Sequence, residues 1–156
     1  MTFDKAFEHV IGVEGGYVND PNDPGGETIY GITRRDHPGA WENGRPTLAD
    51  AKAIYLRDYW TPARCDDLKW PLSFFVFDSA VNQGVGTAVK LLQKTVYTVQ
   101  DGVIGQNTMR AVNSANQEEI CARYLSNRAL RYIGTRNFDR YGAGWFWRLF
   151  RIAMEA

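Results

Sequence analysis

Apolar residues recur at helical spacing along most of this chain. At the start, four large apolar side chains share one face of a predicted helix, because each residue of an α-helix is rotated by about 100° from the one before. They are Phe3, Phe7, Val10 and Ile11. Glu14 falls in the same apolar stripe. Gly15 and Gly16 are predicted to end this helix, since glycine readily takes the left-handed conformation of a helix C-cap.

The segment after the first helix has the composition of turns followed by a short hairpin. Residues 17–27 are rich in proline, glycine and carboxylates, and residues 28–32 form a β-like run. These are the only strands that the pattern predicts. A second stretch rich in proline and glycine reaches Pro46, with a helical turn predicted from Thr33.

From Thr47 onward the pattern is helical. Thr47 and Asp50 resemble a capping box. Residues 72–83 are apolar on nearly all sides, which is typical of a helix in the middle of a bundle. Further helices are predicted over residues 87–97, 108–114, 117–133 and 141–154. The pattern predicts a mainly α domain of two lobes, 1–70 and 71–156, that share one core.

Composition and charge narrow the function classes. The 156 residues are 44% hydrophobic and 23% charged, which excludes a disordered tail or a fibre. The net charge is zero, so no global field favours nucleic-acid binding. Residues 121–156 nevertheless hold seven arginines and only two acids. That segment is either a solvated helix face or a surface that attracts an anionic polymer.

Other features argue against membrane spans, secretion signals and metal sites. The chain has no run of about 18 apolar residues and no pattern typical of a secretory signal peptide. We therefore expect no membrane insertion, synthesis in the cytosol, and a separate route to any site of action outside it. Cys65 and Cys121 are too few for a zinc cluster and are expected to be buried, reduced thiols. No cofactor or metal is expected.

Glu14 is the first candidate for catalysis. Apolar neighbours, the negative end of the helix dipole and nearby carboxylates would each disfavour its charged form. A glutamic acid that stays protonated near neutral pH is a general acid. The alternative is an ordinary glutamate at a helix end.

The loop after Glu14 offers further carboxylates. Glycosidases use two carboxyl groups, one that protonates the leaving oxygen and one that acts as base or nucleophile. Glu14 and Asp23 have this chemistry, although aspartates in such proline-rich segments also form turns. For Asp20 we favour the turn.

Four runs in this region resemble the active-site motif of glycoside hydrolase family 108, the N-acetylmuramidases of phage endolysins and bacterial secretion muramidases. They are Glu14-Gly15-Gly16-Tyr17, Asn19-Asp20-Pro21, Asp23-Pro24-Gly25-Gly26-Glu27-Thr28 and Tyr30-Gly31-Ile32. The resemblance implies that Glu14 is the catalytic acid. The spacing is also similar to that of phage lysozymes, in which Glu, Asp and Thr line one cleft. Asp23 is then the first choice to position water or stabilise the oxocarbenium charge, and Thr28, one residue earlier than in that pattern, the second.

The second half resembles the peptidoglycan-binding region that accompanies this catalytic half. Residues 77–84 and 101–108 are similar to its two signature runs, and the resemblance implies a lysozyme-like, two-lobed fold. Asp78 and Asn82 form a polar stripe on an apolar helix, which predicts either a substrate groove or a satisfied polar pair in the core. Tyr30 and Tyr124 are predicted to stack on sugar faces.

Together these features predict a monomeric, cofactor-free muramidase. It would cleave the β-1,4 bond between N-acetylmuramic acid and N-acetylglucosamine in peptidoglycan, and would reach the wall through a holin or another exporter. Two alternatives stay open: a wall-binding module without catalysis, and a chitosanase-like glycosidase.

Overall fold

The computed structural model describes residues 2–14, 16–19 and 26–156, and for Thr2, Val13 and Glu14 it describes the backbone alone. Within these ranges the chain forms seven α-helices and one two-stranded antiparallel sheet. They are α1 (Thr2–Glu14), β1 (Thr28–Ile29), β2 (Ile32–Thr33), α2 (Leu48–Tyr55), α3 (Leu72–Gln83), α4 (Val85–Thr95), α5 (Gln106–Ser114), α6 (Gln117–Ile133) and α7 (Phe138–Met154). The predicted mainly helical fold with a small hairpin after the first helix is confirmed.

Helix α3 occupies the centre of the molecule. Every residue from Leu72 to Ala80 is buried, as expected for a helix that is apolar on nearly all sides. It contacts α1, α4 and α6. From α1, Ala6, Phe7 and Val10 are buried against this core, which confirms the predicted apolar face. The central position of α3 was correctly predicted from its composition.

The buried apolar side chains of both halves belong to one cluster. Phe7 and Trp60 come from the first half, and Phe77, Tyr124 and Leu149 from the second. The Trp60 and Phe77 rings meet edge to face, with their centroids 5.3 Å apart. The division of the chain near residue 70 stays a prediction.

Local signals at the helix ends account for most boundaries. The capping box at Thr47 is present, with Thr47 and Asp50 each accepting a hydrogen bond from the other's backbone N–H. Asn116 caps α6 in a similar way by accepting from the backbone of Glu119. The helical turn predicted from Thr33 is present as a single turn at the end of β2. The backbone N–H of His37 donates to the carbonyl of Thr33 at 3.1 Å, and a short 3-10 helix follows from Pro38.

The hairpin turns tightly between its two strands. Ile29 pairs with Ile32, which leaves Tyr30 and Gly31 as a two-residue connection. Both residues have positive φ angles, 52° and 73°. This is the geometry that matches the right-handed twist of paired strands. It fixes the register and places Tyr30 at the tip.

Candidate active site

The backbone places Glu14 at the last residue of α1. The negative end of a helix dipole disfavours the ionised form of carboxyl groups near it. The side chain of Glu14 and the whole of Asp23 lie outside the described residues. Their catalytic roles therefore stay predictions. The structure defines the residues around the end of α1.

The chain beyond Glu14 folds back so that the hairpin lies near the end of α1. Val18 and Thr28 exchange two backbone hydrogen bonds of 2.8 Å each. Val18 is only four residues from Glu14, and four residues span at most about 14 Å. The Thr28 hydroxyl donates to the carbonyl of Gly26 at 3.4 Å. Thr28, a predicted site residue, is thus held in the neighbourhood of Glu14.

Glu27 is a fixed carboxylate beside this pairing. The hydroxyl of Tyr17 donates to its Oε1 at 3.0 Å, and Nη1 of Arg34 donates to its Oε2 at 2.7 Å. The hydrogen bond from Arg34, followed by that from Tyr17, holds the pKa of Glu27 below its ordinary value. Glu27 is therefore an ionised group at neutral pH, and both of its oxygens are occupied.

In the sequence, Glu27 is noted only as part of the run that resembles the family motif. A signal for its role was present, because residues 27 and 34 flank the predicted hairpin. When Thr28 pairs with Thr33, the next positions outward are Glu27 and Arg34. Opposite charges at paired positions stabilise a hairpin.

A polar cavity adjoins the Tyr17 side of this cluster. The guanidinium of Arg45 lies 3.8 Å from the centroid of the Tyr17 ring. Arg45 also lines a cavity of about 670 Å³, which is within the usual size range of ligand sites. Charged and amide groups line it, among them Asp36, His37, Asn43, Asp50 and Arg57. Such a lining suits the hydroxyl and acetamido groups of a sugar.

Tyr30 is half-buried at the hairpin tip. Its carbonyl accepts a hydrogen bond of 3.1 Å from the hydroxyl of Tyr55 in α2. A positive φ is costly for a residue with a bulky side chain, and such strain is often found at functional sites. The predicted stacking of Tyr30 on a sugar stays a prediction.

The structure corrects the sugar-contact prediction for Asp78, because its side chain is only 1% exposed. Nε of Arg148 donates to its Oδ1 at 2.9 Å, and a terminal nitrogen of Arg128 lies 2.6 Å from its Oδ2. Burial alone would raise the pKa of Asp78, but the charges of Arg128 and Arg148 outweigh this and hold it below its ordinary value. Asp78 is therefore a buried anion that joins α3 to α6 and α7.

Asn82 and Tyr124 belong to the same interface. Oδ1 of Asn82 accepts from the Tyr132 hydroxyl at 2.8 Å and from Arg128 at 3.4 Å. Tyr124 is 0% exposed, and its hydroxyl donates to the carbonyl of Ala88 at 3.3 Å. Burial raises the pKa of Tyr124. No face of this ring is open to a sugar, so the prediction for Tyr124 is wrong, whereas that for the half-buried Asn82 stays a prediction.

Three of the predicted binding residues thus meet, with Asp78 and Tyr124 buried and Asn82 half-buried. Asp78, Asn82 and Tyr124 surround the buried Arg128 between α3 and α6. The sequence left two possibilities for Asp78, a substrate groove and a polar group with partners in the core. The structure supports the second.

Metal binding, membrane spans and the two cysteines are the remaining features that the sequence brought into question. In the part of the chain that the structure describes, no three His, Cys, Asp or Glu side chains are grouped so that they could hold a metal ion. None of the helices described there is both long and apolar enough to cross a membrane. Cys65 and Cys121 are free and buried, as predicted.

Comparisons with known proteins agree with this arrangement. A family model described as Glycosyl hydrolase 108 matches residues 7–84, and one described as Predicted Peptidoglycan domain matches residues 87–150. The solved structure of Brucella abortus SagA is 38% identical in sequence, covering 97% of this chain and 91% of SagA, with a TM-score of 0.82. A comparison with curated proteins finds no match.

The first matched region begins inside α1 and includes Glu14, the hairpin, α2 and α3, and the second begins inside α4. A glycosidase region joined to a peptidoglycan domain identifies peptidoglycan as the substrate. The chain belongs to glycosyl hydrolase family 108 and is a peptidoglycan hydrolase.

Proposed function

We propose that this enzyme is an N-acetylmuramidase of the lysozyme type, with Glu14 as its general acid. It cleaves the β-1,4 bond between N-acetylmuramic acid and N-acetylglucosamine. The observation that carries the proposal is the position of Glu14. It ends α1 inside the matched glycosidase region, directly before the segment that the Val18–Thr28 pairing folds back.

The proposed reaction needs an acid on one side of the sugar bond and an activated water on the other. Glu14 gives its proton to the glycosidic oxygen as the bond to the anomeric carbon breaks. Water then adds to the anomeric carbon and loses a proton. Asp23 is the first choice to accept that proton and to offset the oxocarbenium charge, and Thr28 is the second choice, as a residue that positions the water.

Glu27 is assigned a different role. Arg34 and Tyr17 already occupy both of its oxygens, and Arg34 keeps it ionised. A carboxylate held in this way is a poor base. Its negative charge, close in the chain to Thr28, instead fixes the hairpin and disfavours ionisation of neighbouring carboxyl groups.

The proposed site of action is the bacterial cell wall. Cleavage of glycan strands there weakens the wall, so we further propose a bacteriolytic role, as in the phage endolysins and secretion muramidases whose motif this chain resembles.

Clearance of a suspension of purified sacculi tests the catalytic proposal. General acid catalysis is commonly worth about 10²–10⁴-fold, so Glu14→Gln should slow clearance at least about 100-fold with unchanged thermal melting. Glu8→Gln is the matched control, since Glu8 is an exposed glutamate on the same helix. It should clear sacculi at the wild-type rate. Wild-type clearance by a folded Glu14→Gln protein would remove the assignment of Glu14, and a wild-type protein that binds sacculi without clearing them would refute catalysis.

A further inference from the structure

A polar groove runs between α4 and α6 in the second half of the chain. Two cavities of about 500 and 550 Å³ share Lys94, Gln100 and Asn127, so they form one continuous depression. We call it the α4–α6 groove and define it by Lys90, Lys94, Tyr97, Gln100, Asn127 and Arg131.

Carboxylates balance only part of the positive charge of the groove. Among the residues that the structure describes, none of the acids lies within ion-pair distance of Lys90, Lys94 or Arg131. The charge of Lys90 acts on Asp101 and helps to lower its pKa, but Asp101 makes its hydrogen bonds with the Gln93 amide, at 2.6 Å, and a backbone N–H. The groove therefore presents three cations to a ligand, and Lys94 and Arg131 have no ion-pair partner among the described residues.

The remaining groups of the groove favour a ligand with amides and rings. Tyr97 is 79% exposed. The guanidinium of Arg123 lies over one face of its ring, 5.0 Å from the centroid, so the other face is the flat apolar surface that a ligand can reach. Gln100 and Asn127 provide amide side chains, which both donate and accept hydrogen bonds. Nδ2 of Asn127 donates to the hydroxyl of Thr95 at 3.1 Å. The side-chain oxygen of Asn127, Oδ1, takes no part in that bond.

We propose that the α4–α6 groove binds the stem peptide of peptidoglycan. The cations pair with the carboxylates of the peptide, the amide side chains pair with its peptide groups, and Tyr97 packs on the adjoining sugar or side chain. This inference rests on the peptidoglycan-directed function proposed above but not on which bond is cleaved. In intact peptidoglycan the glycan itself carries no charge, because the lactyl carboxyl of each N-acetylmuramic acid forms the amide that attaches the peptide. The stem peptide, in contrast, supplies several carboxylates along an extended chain.

The groove would hold the enzyme on the wall while the first half hydrolyses the glycan. It also accounts for part of the basic segment noted in the sequence. Arg128 and Arg148 form buried ion pairs with Asp78, whereas Arg131 lines the groove. Part of that segment is thus core and part is a surface for an anionic polymer.

Binding of the full chain to sacculi tests the proposal, with Glu14→Gln in every protein so that the substrate persists. The groove variant is Lys90→Gln/Lys94→Gln. The control Lys69→Gln/Arg110→Gln removes the same charge from exposed residues outside the groove. On intact sacculi the groove variant should raise Kd at least tenfold and the control should not. Free stem peptide, released from sacculi by an amidase, should displace the parent from intact sacculi, whereas the same concentration should leave the residual binding of the groove variant unchanged.

Three results would overturn the proposal. The groove variant could bind intact sacculi as tightly as its parent, or free stem peptide could leave the binding of the parent unchanged. A loss seen only with sacculi that carry teichoic acid would assign the groove to a phosphate polymer instead. None of these readouts depends on hydrolysis, so failure here is distinct from failure of the muramidase assignment. Thermal melting of each variant serves as the fold control.

Discussion

Replacing Asp78 by asparagine should destabilise the fold strongly, because Asp78 is the anion between two buried cations. Arg128 is 0% exposed and Arg148 is 6% exposed. Asparagine keeps the shape of Asp78 but removes the charge that compensates both. Removing one partner of a buried ion pair costs about 3–5 kcal/mol. For a chain of this size each kcal/mol lowers Tm by about 2–4 °C, so Tm should fall by about 6–20 °C.

A low pH should reduce the difference in stability between the wild type and Asp78→Asn. The pKa of Asp78 lies below its ordinary value of 3.8 in the folded state. A group with a lowered pKa contributes stability that is fully present above its unfolded pKa and is lost as the pH falls through the folded one. The gap between wild type and Asp78→Asn should therefore be constant from neutral pH down to about 4 and should shrink below that.

Thermal and urea unfolding followed by circular dichroism measure both effects. Asp67→Asn is the matched control, because Asp67 also accepts from an arginine, Arg64 at 2.7 Å, but both side chains are nearly half exposed. Exposed pairs contribute about 0–1 kcal/mol, so this control should melt close to wild type. An Asp78→Asn protein within about 1 kcal/mol of wild type at neutral pH would refute the account of a buried, compensating anion.

Three further predictions follow from the buried and loop residues. Tyr124→Phe should lower stability by about 1 kcal/mol through its lost hydrogen bond, while the rate of sacculus hydrolysis stays unchanged; a large loss of rate at unchanged stability would restore a substrate role. Burial raises the pKa of both Cys65 and Cys121, so a thiol reagent should label neither in the native protein and both after denaturation; blocked thiols in the denatured, non-reduced protein would instead show a disulfide. If Asp23 is the base, Asp23→Asn should lose nearly as much turnover as Glu14→Gln and Thr28→Val less; near-full activity of Asp23→Asn would move the role to Thr28 or Asp20.

The fold was largely predictable because its signals are local. The uniform apolar character of residues 72–83 predicted the central α3, and the spacing of Thr47 and Asp50 predicted the cap of α2. The turn predicted from Thr33 is local as well, because the carbonyl of Thr33 accepts from the backbone N–H of His37, four residues later. The Thr33 hydroxyl also accepts from the backbone N–H of Asp36.

The substrate-binding residues were less predictable, because their partners are distant in the chain. Asp78 and Arg148 are seventy positions apart, and Asn82 and Tyr132 fifty. A polar stripe on an apolar helix shows that partners are needed, but not whether they are side chains or sugars. The arginines in the C-terminal segment looked like surface charge, and two of them are instead core residues. The motif around Glu14, by contrast, was sufficient to predict the family.

Mass spectrometry of the products from digested sacculi tests the central claim most directly. Reduction with borohydride labels whichever sugar becomes the new reducing end. The muramidase account predicts reduced N-acetylmuramic acid at the ends made by the wild-type enzyme, and almost no new ends from Glu14→Gln. Reduced N-acetylglucosamine at those ends would contradict the assigned bond, and equal yields from both proteins would contradict the role of Glu14.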